Sequence, residues 1–242
     1  MKKRKINSKF LRLCESFGIE KLDEILKGGI PERSVVLVEG SPGIGKDVLA
    51  YHFIYSGLKE RDSCAFVSAG VTVENLKGEF AAYGFDLDQI KDIDKLLVWI
   101  DASSVSSGSN VVRCDISELY TISSAIKKFL SENRGKSMRL VFSILSPILM
   151  SNDSREVYNF LLDLKKELIE YSVTSIFLIE EGMHDPQTFV AIEQLCDGVI
   201  NMRAYKKEFD IQTMLRIKKM RTVAIPLHLF QYKVSTKGLA II

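Results

Sequence analysis

The fold of this chain is decided by the stretch Gly40-Ser41-Pro42-Gly43-Ile44-Gly45-Lys46-Asp47. The apolar run at residues 34–38 predicts a buried strand before it, and the helical spacing of apolar residues over 46–60 predicts a helix after it. A strand, a glycine-rich turn and a helix form the context in which G-x-x-x-x-G-K indicates a phosphate-binding loop. We therefore expect residues 40–47, the phosphate loop, to bind the phosphates of a nucleotide.

The residue types in the phosphate loop suit this chemistry. Glycines let the backbone N–H groups turn towards a phosphate. The helix N-terminus adds partial positive charge, and Lys46 adds a full charge for the outer phosphates. Asp47 departs from the motif, because Ser or Thr at this position binds the Mg²⁺ that accompanies the nucleotide. The predicted contacts are Gly40, Ser41, Pro42, Gly43, Ile44, Gly45, Lys46, Asp47 and Val48.

Composition limits the classes of function. With 242 residues, 46% of them apolar, the chain is predicted to be a single domain over 1–242, with 1–16 as an N-terminal tail or arm. A net charge of +2 gives no broad footprint for nucleic acid. The four cysteines lack C-x-x-C spacing, which favours a reducing compartment and a cytoplasmic location. The longest apolar stretch, 140–150, is too short for membrane insertion.

Predicted strands and helices alternate along the chain, which indicates an α/β fold with a mainly parallel sheet flanked by helices. The predicted strands are 34–38, 64–68, 96–100, 139–144 and 175–179, and a C-terminal antiparallel extension is predicted from 199–202, 213–217 and 228–234. The predicted helices are 17–26, 46–60, 73–83, 119–130 and 155–171. Residues 101–110 are rich in Ser and Gly and are predicted to form a loop.

Motifs outside the phosphate loop extend a resemblance over nearly the whole chain. They are Gly18-Ile19, Leu22-Asp23-Glu24-Ile25-Leu26, Gly28-Gly29-Ile30-Pro31, Lys219-Met220-Arg221 and Lys237-Gly238. With them the chain resembles single-domain KaiC-like and RadA-like proteins of the RecA-type P-loop ATPases, which are common in archaea. The resemblance implies a RecA-like P-loop NTPase fold, ATP at the C-terminal edge of the sheet, and rings or filaments with nucleotide between subunits. It also implies that Lys219 and Arg221 reach a neighbour's γ-phosphate, the alternative being solvated charges at a strand edge.

The chain lacks the family's catalytic carboxylates. The acidic pair that follows the second strand in the family is replaced by Gly70 and Val71, and the Walker B aspartate is replaced by Ser143. We therefore predict no catalytic residue and little or no ATP hydrolysis, with an active ATPase that uses other residues as the weaker alternative. Three readings of Asp47 stay open: a hydrogen bond to Ser143 in an exchange of carboxylate and hydroxyl, direct binding of Mg²⁺, or stabilisation of a helix dipole in an empty site.

The histidines and the single tryptophan are predicted to have structural rather than catalytic roles. His184 and Asp185 follow a buried strand where RecA-like folds keep γ-phosphate sensors, but a plain loop is the favoured prediction. His52 and His228 are predicted to be packed or surface residues. Trp99 is predicted to lie in the core.

Three functions follow from these observations. The first is a regulatory or signal-transduction KaiC-like protein that binds ATP and assembles with itself or with an active relative. The second is a RadA-paralogue role in recombination, but residues 146–156 and 180–188, which would supply DNA loops, contain only Arg155 as a basic contact, so DNA is not expected as a partner. The third is a nucleotide-free structural adaptor, such as an accessory subunit of a motor.

Overall fold

The computed structural model describes residues 14–103, 105, 108, 110–207 and 210–242. The strands are β1 (Cys14–Glu15), β2 (Ile30–Pro31), β3 (Val35–Gly40), β4 (Ser63–Ser68), β5 (Leu97–Asp101), β6 (Val111–Arg113), β7 (Met138–Phe142), β8 (Val173–Glu180), β9 (Gly198–Lys207), β10 (Asp210–Met220), β11 (Phe230–Ser235) and β12 (Gly238–Ile241). The α-helices are α1 (Glu20–Ile25), α2 (Lys46–Lys59), α3 (Val73–Ala82), α4 (Ile93–Leu96), α5 (Leu119–Glu132), α6 (Leu145–Ser151), α7 (Ser154–Glu170) and α8 (Pro186–Leu195).

One large sheet organises these elements. It has 10 strands in the order β12-β11-β10-β9-β3-β8-β7-β4-β5-β6. Neighbours from β9 to β6 in this order pair in parallel, whereas β9, β10, β11 and β12 pair in antiparallel fashion. The predicted α/β fold, with a mainly parallel sheet and a C-terminal antiparallel extension, is therefore confirmed. β1 and β2 form a separate antiparallel pair.

Helices bury both faces of the sheet. α1, α2 and α3 pack on one face, and α5, α6, α7 and α8 pack on the other. Because both faces are covered, β3, β4 and β7 are buried along their whole length, and their sequences are mostly apolar and do not alternate. Trp99 lies in the core as predicted, packed against Phe66 and Phe80.

Seven elements were missed by the sequence analysis: α4, α6, α8, β1, β2, β6 and β12. α6 and α8 each carry a proline, Pro147 and Pro186, in the first helical turn, where proline is tolerated. Asp185 caps α8 by accepting a hydrogen bond of 2.9 Å from the Thr188 N–H. The predicted strand 139–144 ends earlier, at Phe142, so Ser143 lies just beyond it.

One central strand contains a buried charged residue, an arginine, which is balanced by carboxylates. Arg139 on β7 is fully buried, and its guanidinium pairs with Asp62 at 2.7 Å, Glu15 at 2.8 Å and Glu60 at 2.7 Å. These three carboxylates are spaced as a metal site would be, but Arg139 already supplies their counter-charge. The cluster is therefore structural, and it ties β1 and the end of α2 to the sheet.

Candidate nucleotide site

The phosphate loop connects β3 to α2 at the C-terminal edge of the parallel strands. Gly45 precedes α2 in a left-handed conformation with φ 100°, and Gly43 has φ 76°, so both positions favour glycine. No side chain caps the N-terminus of α2 within the described residues. Its first N–H groups are therefore available to an anion.

The C-terminal strands pack against the phosphate loop and fix its shape. A Cβ at Gly40 would lie 2.8 Å from the Met202 carbonyl oxygen, and a Cβ at Gly45 would lie 2.8 Å from Val234 Cγ2. Ile44 and Val48 point inward and are buried, whereas Ser41, Pro42 and Gly43 are exposed. The loop thus presents a solvent-facing turn on a packed support, which suits a phosphate cradle.

Lys46 is held by a carboxylate that the sequence analysis missed. Its side chain is 4% exposed, and its Nζ lies 2.6 Å from Glu180 Oε1 and 3.9 Å from Asp47 Oδ2. Glu180 ends β8 and pairs in register with Gly40 on β3. The available signal was an acidic residue directly after a buried strand, because the carboxyl ends of parallel strands meet at one edge of the sheet.

A cavity of about 500 Å³ opens beside Lys46. Asp47, Ser143, Ser146 and Glu180 supply polar groups to it, and Pro147, Met150, Leu178 and Met183 supply apolar ones. The structure therefore brings Asp47 and Ser143 to one cavity.

Asp47 and Ser143 share this cavity without a mutual hydrogen bond among the described contacts. The Ser143 hydroxyl instead donates to the Val67 carbonyl oxygen at 2.8 Å. The Asp47 side chain is half-exposed, at 49%. The hydrogen-bonded exchange of these two residues, one of the open readings, is thus not the arrangement in the structure. Binding of Mg²⁺ by Asp47 stays a prediction.

The loop after β8 is connected to the cavity through Ser146. The Ser146 Oγ accepts a hydrogen bond of 2.9 Å from the Glu180 N–H and lies 2.9 Å from His184 Nε2. Burial lowers the pKa of His184, which favours the neutral ring as acceptor for the Ser146 hydroxyl. His184 does lie in a loop, as predicted, and its contact with Ser146 connects this loop to the cavity.

The region that carries catalytic carboxylates in the family contains a different arrangement here. The Gly70 N–H donates to Ser103 Oγ at 3.1 Å, and the Ser103 hydroxyl donates to Asp101 Oδ1 at 2.7 Å. Asp101 is buried at the end of β5, beside Ser68 at the end of β4. This carboxylate therefore helps to order the loop after β4 through Ser103.

Lys219 and Arg221 lie near the N-terminal ends of β3 and β9, whereas the phosphate loop of the same chain follows the C-terminal end of β3. The Lys219 ammonium donates to the Glu193, Gln194 and Cys196 carbonyl oxygens at the C-terminus of α8. The Arg221 Nη1 pairs with Asp197 Oδ1 at 2.9 Å and its side chain is 56% exposed. Within one chain these residues do not join the nucleotide site, and contact with a neighbour's nucleotide stays a prediction.

The other two histidines have structural surroundings. His52 is buried in α2, and its Nε2 accepts a hydrogen bond of 2.9 Å from the Leu239 N–H. Burial lowers the pKa of His52 to about 4. His228 is exposed, and its ring contacts the Phe230 ring in a tilted arrangement. Both observations agree with the predicted packing and surface roles.

Comparison with known proteins relates this arrangement to a family. In the described part of the chain, no helix has both the length and the apolar character needed to span a bilayer. The chain is similar to a UPF0273 protein of Thermotoga maritima, 26% identical over 235 residues with 93% of each chain covered, and to one of Pyrococcus furiosus, 24% identical over 234 residues with 93% and 92% covered. It shares its fold with the crystal structure of a KaiC-like protein from Pyrococcus horikoshii, with TM-score 0.74, 24% identity, and 96% and 98% of the two chains covered. Residues 16–242 match the family model described as ATPase: KaiC, and the chain belongs to that family.

Proposed function

We propose that this chain is a KaiC-like regulatory or signal-transduction protein that binds ATP at the phosphate loop and hydrolyses it slowly or not at all. Membership in the KaiC ATPase family implies nucleotide binding, usually with Mg²⁺. The observation that carries the proposal is the combination of an uncapped α2 N-terminus, an exposed glycine turn and a buried Lys46 beside it. Backbone N–H groups and one lysine are what a triphosphate requires from such a loop.

The proposed weakness of hydrolysis rests on Gly70, Val71 and Ser143, which stand where the family has carboxylates. Ser143 donates to a main-chain carbonyl, and Asp101 is engaged by Ser103. Phosphoryl transfer needs an oriented water and a positioned metal, and loss of a general base alone typically costs ~10²–10⁴-fold in rate. Glu180 supports the weaker alternative of an active ATPase with other residues, but in this structure it is paired with Lys46.

Assembly and location are parts of the same proposal. We infer that the protein acts in the cytoplasm and associates with itself or with an active KaiC-like relative. The exposed Arg221 guanidinium supports a contact between subunits. DNA is not favoured as a partner, because residues 145–151 and 154–170 form helices rather than the basic loops that a recombination protein would present.

One observation favours the nucleotide-free adaptor as a second candidate. The Lys46–Glu180 ion pair neutralises the phosphate-loop lysine without any ligand. If this pair persists in the presence of nucleotide, the phosphate loop binds no phosphate, and the chain acts only through contacts of its surface with other proteins.

Isothermal titration calorimetry with ATP separates the two candidates. We expect the parent protein to bind ATP at millimolar concentrations or below, and Lys46→Ala and Lys46→Gln to lose binding. Lys77→Ala is the matched control, because Lys77 is an exposed lysine on α3. Circular dichroism checks that each variant is folded. Absence of binding to the folded parent would favour the adaptor.

A further inference from the structure

The carboxylates around Lys46 suggest how this site handles a metal without the family's usual ligands. We propose that Asp47 and Glu180 together hold Lys46 in the free protein and bind a divalent cation in its place when ATP engages the lysine. The inference rests on the proposed binding of ATP and assigns the metal to a carboxylate pair that includes Glu180, at the end of a strand adjacent to β3.

The first support is the charge balance of the cavity. Lys46 Nζ lies 2.6 Å from one carboxylate and 3.9 Å from the other, so a single positive charge faces two negative ones. A bound triphosphate attracts the lysine and brings further negative charge to the same place. Two carboxylates beside a phosphate repel it unless another cation intervenes. The arrangement therefore binds ATP well only together with such a cation.

The second support is an acceptor without a donor. Glu180 Oε2 is buried and makes no hydrogen bond to any described residue, although buried carboxylate oxygens are nearly always satisfied. The main chain of Glu180 is fixed by the hydrogen bond of 2.9 Å from its N–H to Ser146 Oγ. The carboxylate therefore has one oxygen on Lys46 and one oxygen without a hydrogen-bond donor among the described residues.

The third support is the chemistry of the donor set. Carboxylate oxygens are hard ligands that suit Mg²⁺, which is commonly held by one or two carboxylates together with substrate phosphates and water. A cation bound here would screen the phosphates from Asp47 and Glu180. The usual hydroxyl and Walker B carboxylate are absent, and Ser143 is occupied with Val67.

The proposal predicts that removing the Glu180 charge reduces the Mg²⁺ dependence of ATP binding. Without Mg²⁺, Glu180→Gln should bind ATP more tightly than the parent, because Lys46 is released and a negative charge is removed. Addition of Mg²⁺ should increase the affinity of this variant for ATP much less than it increases the affinity of the parent. We expect Mg²⁺ to improve parent affinity by at least about tenfold and the Glu180→Gln variant by a factor of about two or less. Asp47→Asn should show the same pattern.

Calorimetric titration of ATP, with excess Mg²⁺ and with EDTA, tests this for the parent, Glu180→Gln and Asp47→Asn. Glu181→Gln is the matched control: Glu181 is the next residue, and its carboxylate pairs with Arg203 instead of Lys46. It retains Asp47 and Glu180, so it measures the effect of removing a nearby negative charge while the proposed metal ligands stay in place. Equal Mg²⁺ dependence in Glu180→Gln, Glu181→Gln and the parent would overturn the carboxylate pair while leaving ATP binding intact. A folded parent that binds no ATP would overturn both proposals.

Discussion

The Tyr232 hydroxyl donates a hydrogen bond of 2.7 Å to the Ile44 carbonyl oxygen, which joins β11 to the phosphate loop. Both residues are buried, and burial raises the pKa of Tyr232, so the hydroxyl stays a donor at any physiological pH. The antiparallel extension therefore packs against the phosphate loop and is a structural part of the candidate nucleotide site.

Tyr232→Phe is expected to weaken both the fold and the binding of ATP. The change leaves the Ile44 carbonyl buried without a donor, which costs about 1–3 kcal/mol. Urea unfolding measures the free energy of unfolding, and calorimetry measures the affinity. Tyr120→Phe, at an exposed tyrosine of α5, is the control. Unchanged stability and affinity in Tyr232→Phe would show that the loop does not depend on this bond.

Hydrolysis of ATP is expected to stay close to the uncatalysed rate. Gly70, Val71 and Ser143 stand where the family has carboxylates, and Asp101 is engaged elsewhere. Phosphate release from protein purified away from contaminating ATPases is the measurement, with Lys46→Ala as the blank. Turnover near the ~1–100 s⁻¹ of efficient phosphoryl-transfer enzymes would contradict the prediction.

Arg221→Ala is expected to reduce ATP-dependent self-association, or association with a catalytic relative, with little effect on the fold. Its guanidinium is largely exposed, whereas Lys219 holds the end of α8 and its replacement would also destabilise the protein. Light scattering with and without ATP measures the assembly. Arg216→Ala removes the same charge from an exposed position on β10 and serves as the control. Equal assembly of both variants would leave Arg221 as a surface charge.

The free protein places no bond between Asp47 and Ser143, so their substitutions should be nearly additive when Mg²⁺ is absent. A double-mutant cycle of Asp47→Thr and Ser143→Asp on the dissociation constant of ATP gives the coupling directly. We expect it to stay within about 0.5 kcal/mol in EDTA. A coupling of roughly 0.5–3 kcal/mol in that condition would restore the exchange of carboxylate and hydroxyl as the explanation.

His52 is expected to make stability fall on acidification. Burial lowers its pKa from 6.5 to about 4, so between these pH values the unfolded chain binds a proton that the folded protein does not. Neutral His52 therefore imposes no loss of stability above pH 6.5, and about 3 kcal/mol of the free energy of unfolding is lost as the pH falls towards 4. Burial also raises the pKa of Glu39 to about 7, so protonation of Glu39 in the folded protein increases stability as the pH falls and opposes the effect of His52.

Comparison with His52→Gln isolates this contribution, because glutamine can accept the Leu239 N–H and does not titrate. Urea unfolding of the parent and the variant between pH 7.5 and pH 4.5 is the measurement. The difference between the two free energies of unfolding should shrink as the pH falls. Parallel curves would show that His52 titrates alike in both states.

Local patterns predicted the phosphate loop and the sheet because glycine spacing and apolar runs act over a few residues. The departures at Asp47 and Ser143 were visible in the same way. Glu180 was missed because its meaning depends on β8 lying beside β3, and Tyr232 was missed because its partner is 188 residues away. α6 and α8 are hard to predict because a proline in a first helical turn also looks like a loop signal.

The same distance along the chain sets the order in which the site can form during synthesis. The phosphate loop leaves the ribosome early, but β8, β9 and β11, which support it, follow much later. At about 5–20 residues per second, the 188 residues between Ile44 and Tyr232 take roughly 10–40 s to add. A nascent chain therefore carries the complete nucleotide motif for most of its synthesis before the site can close around a ligand.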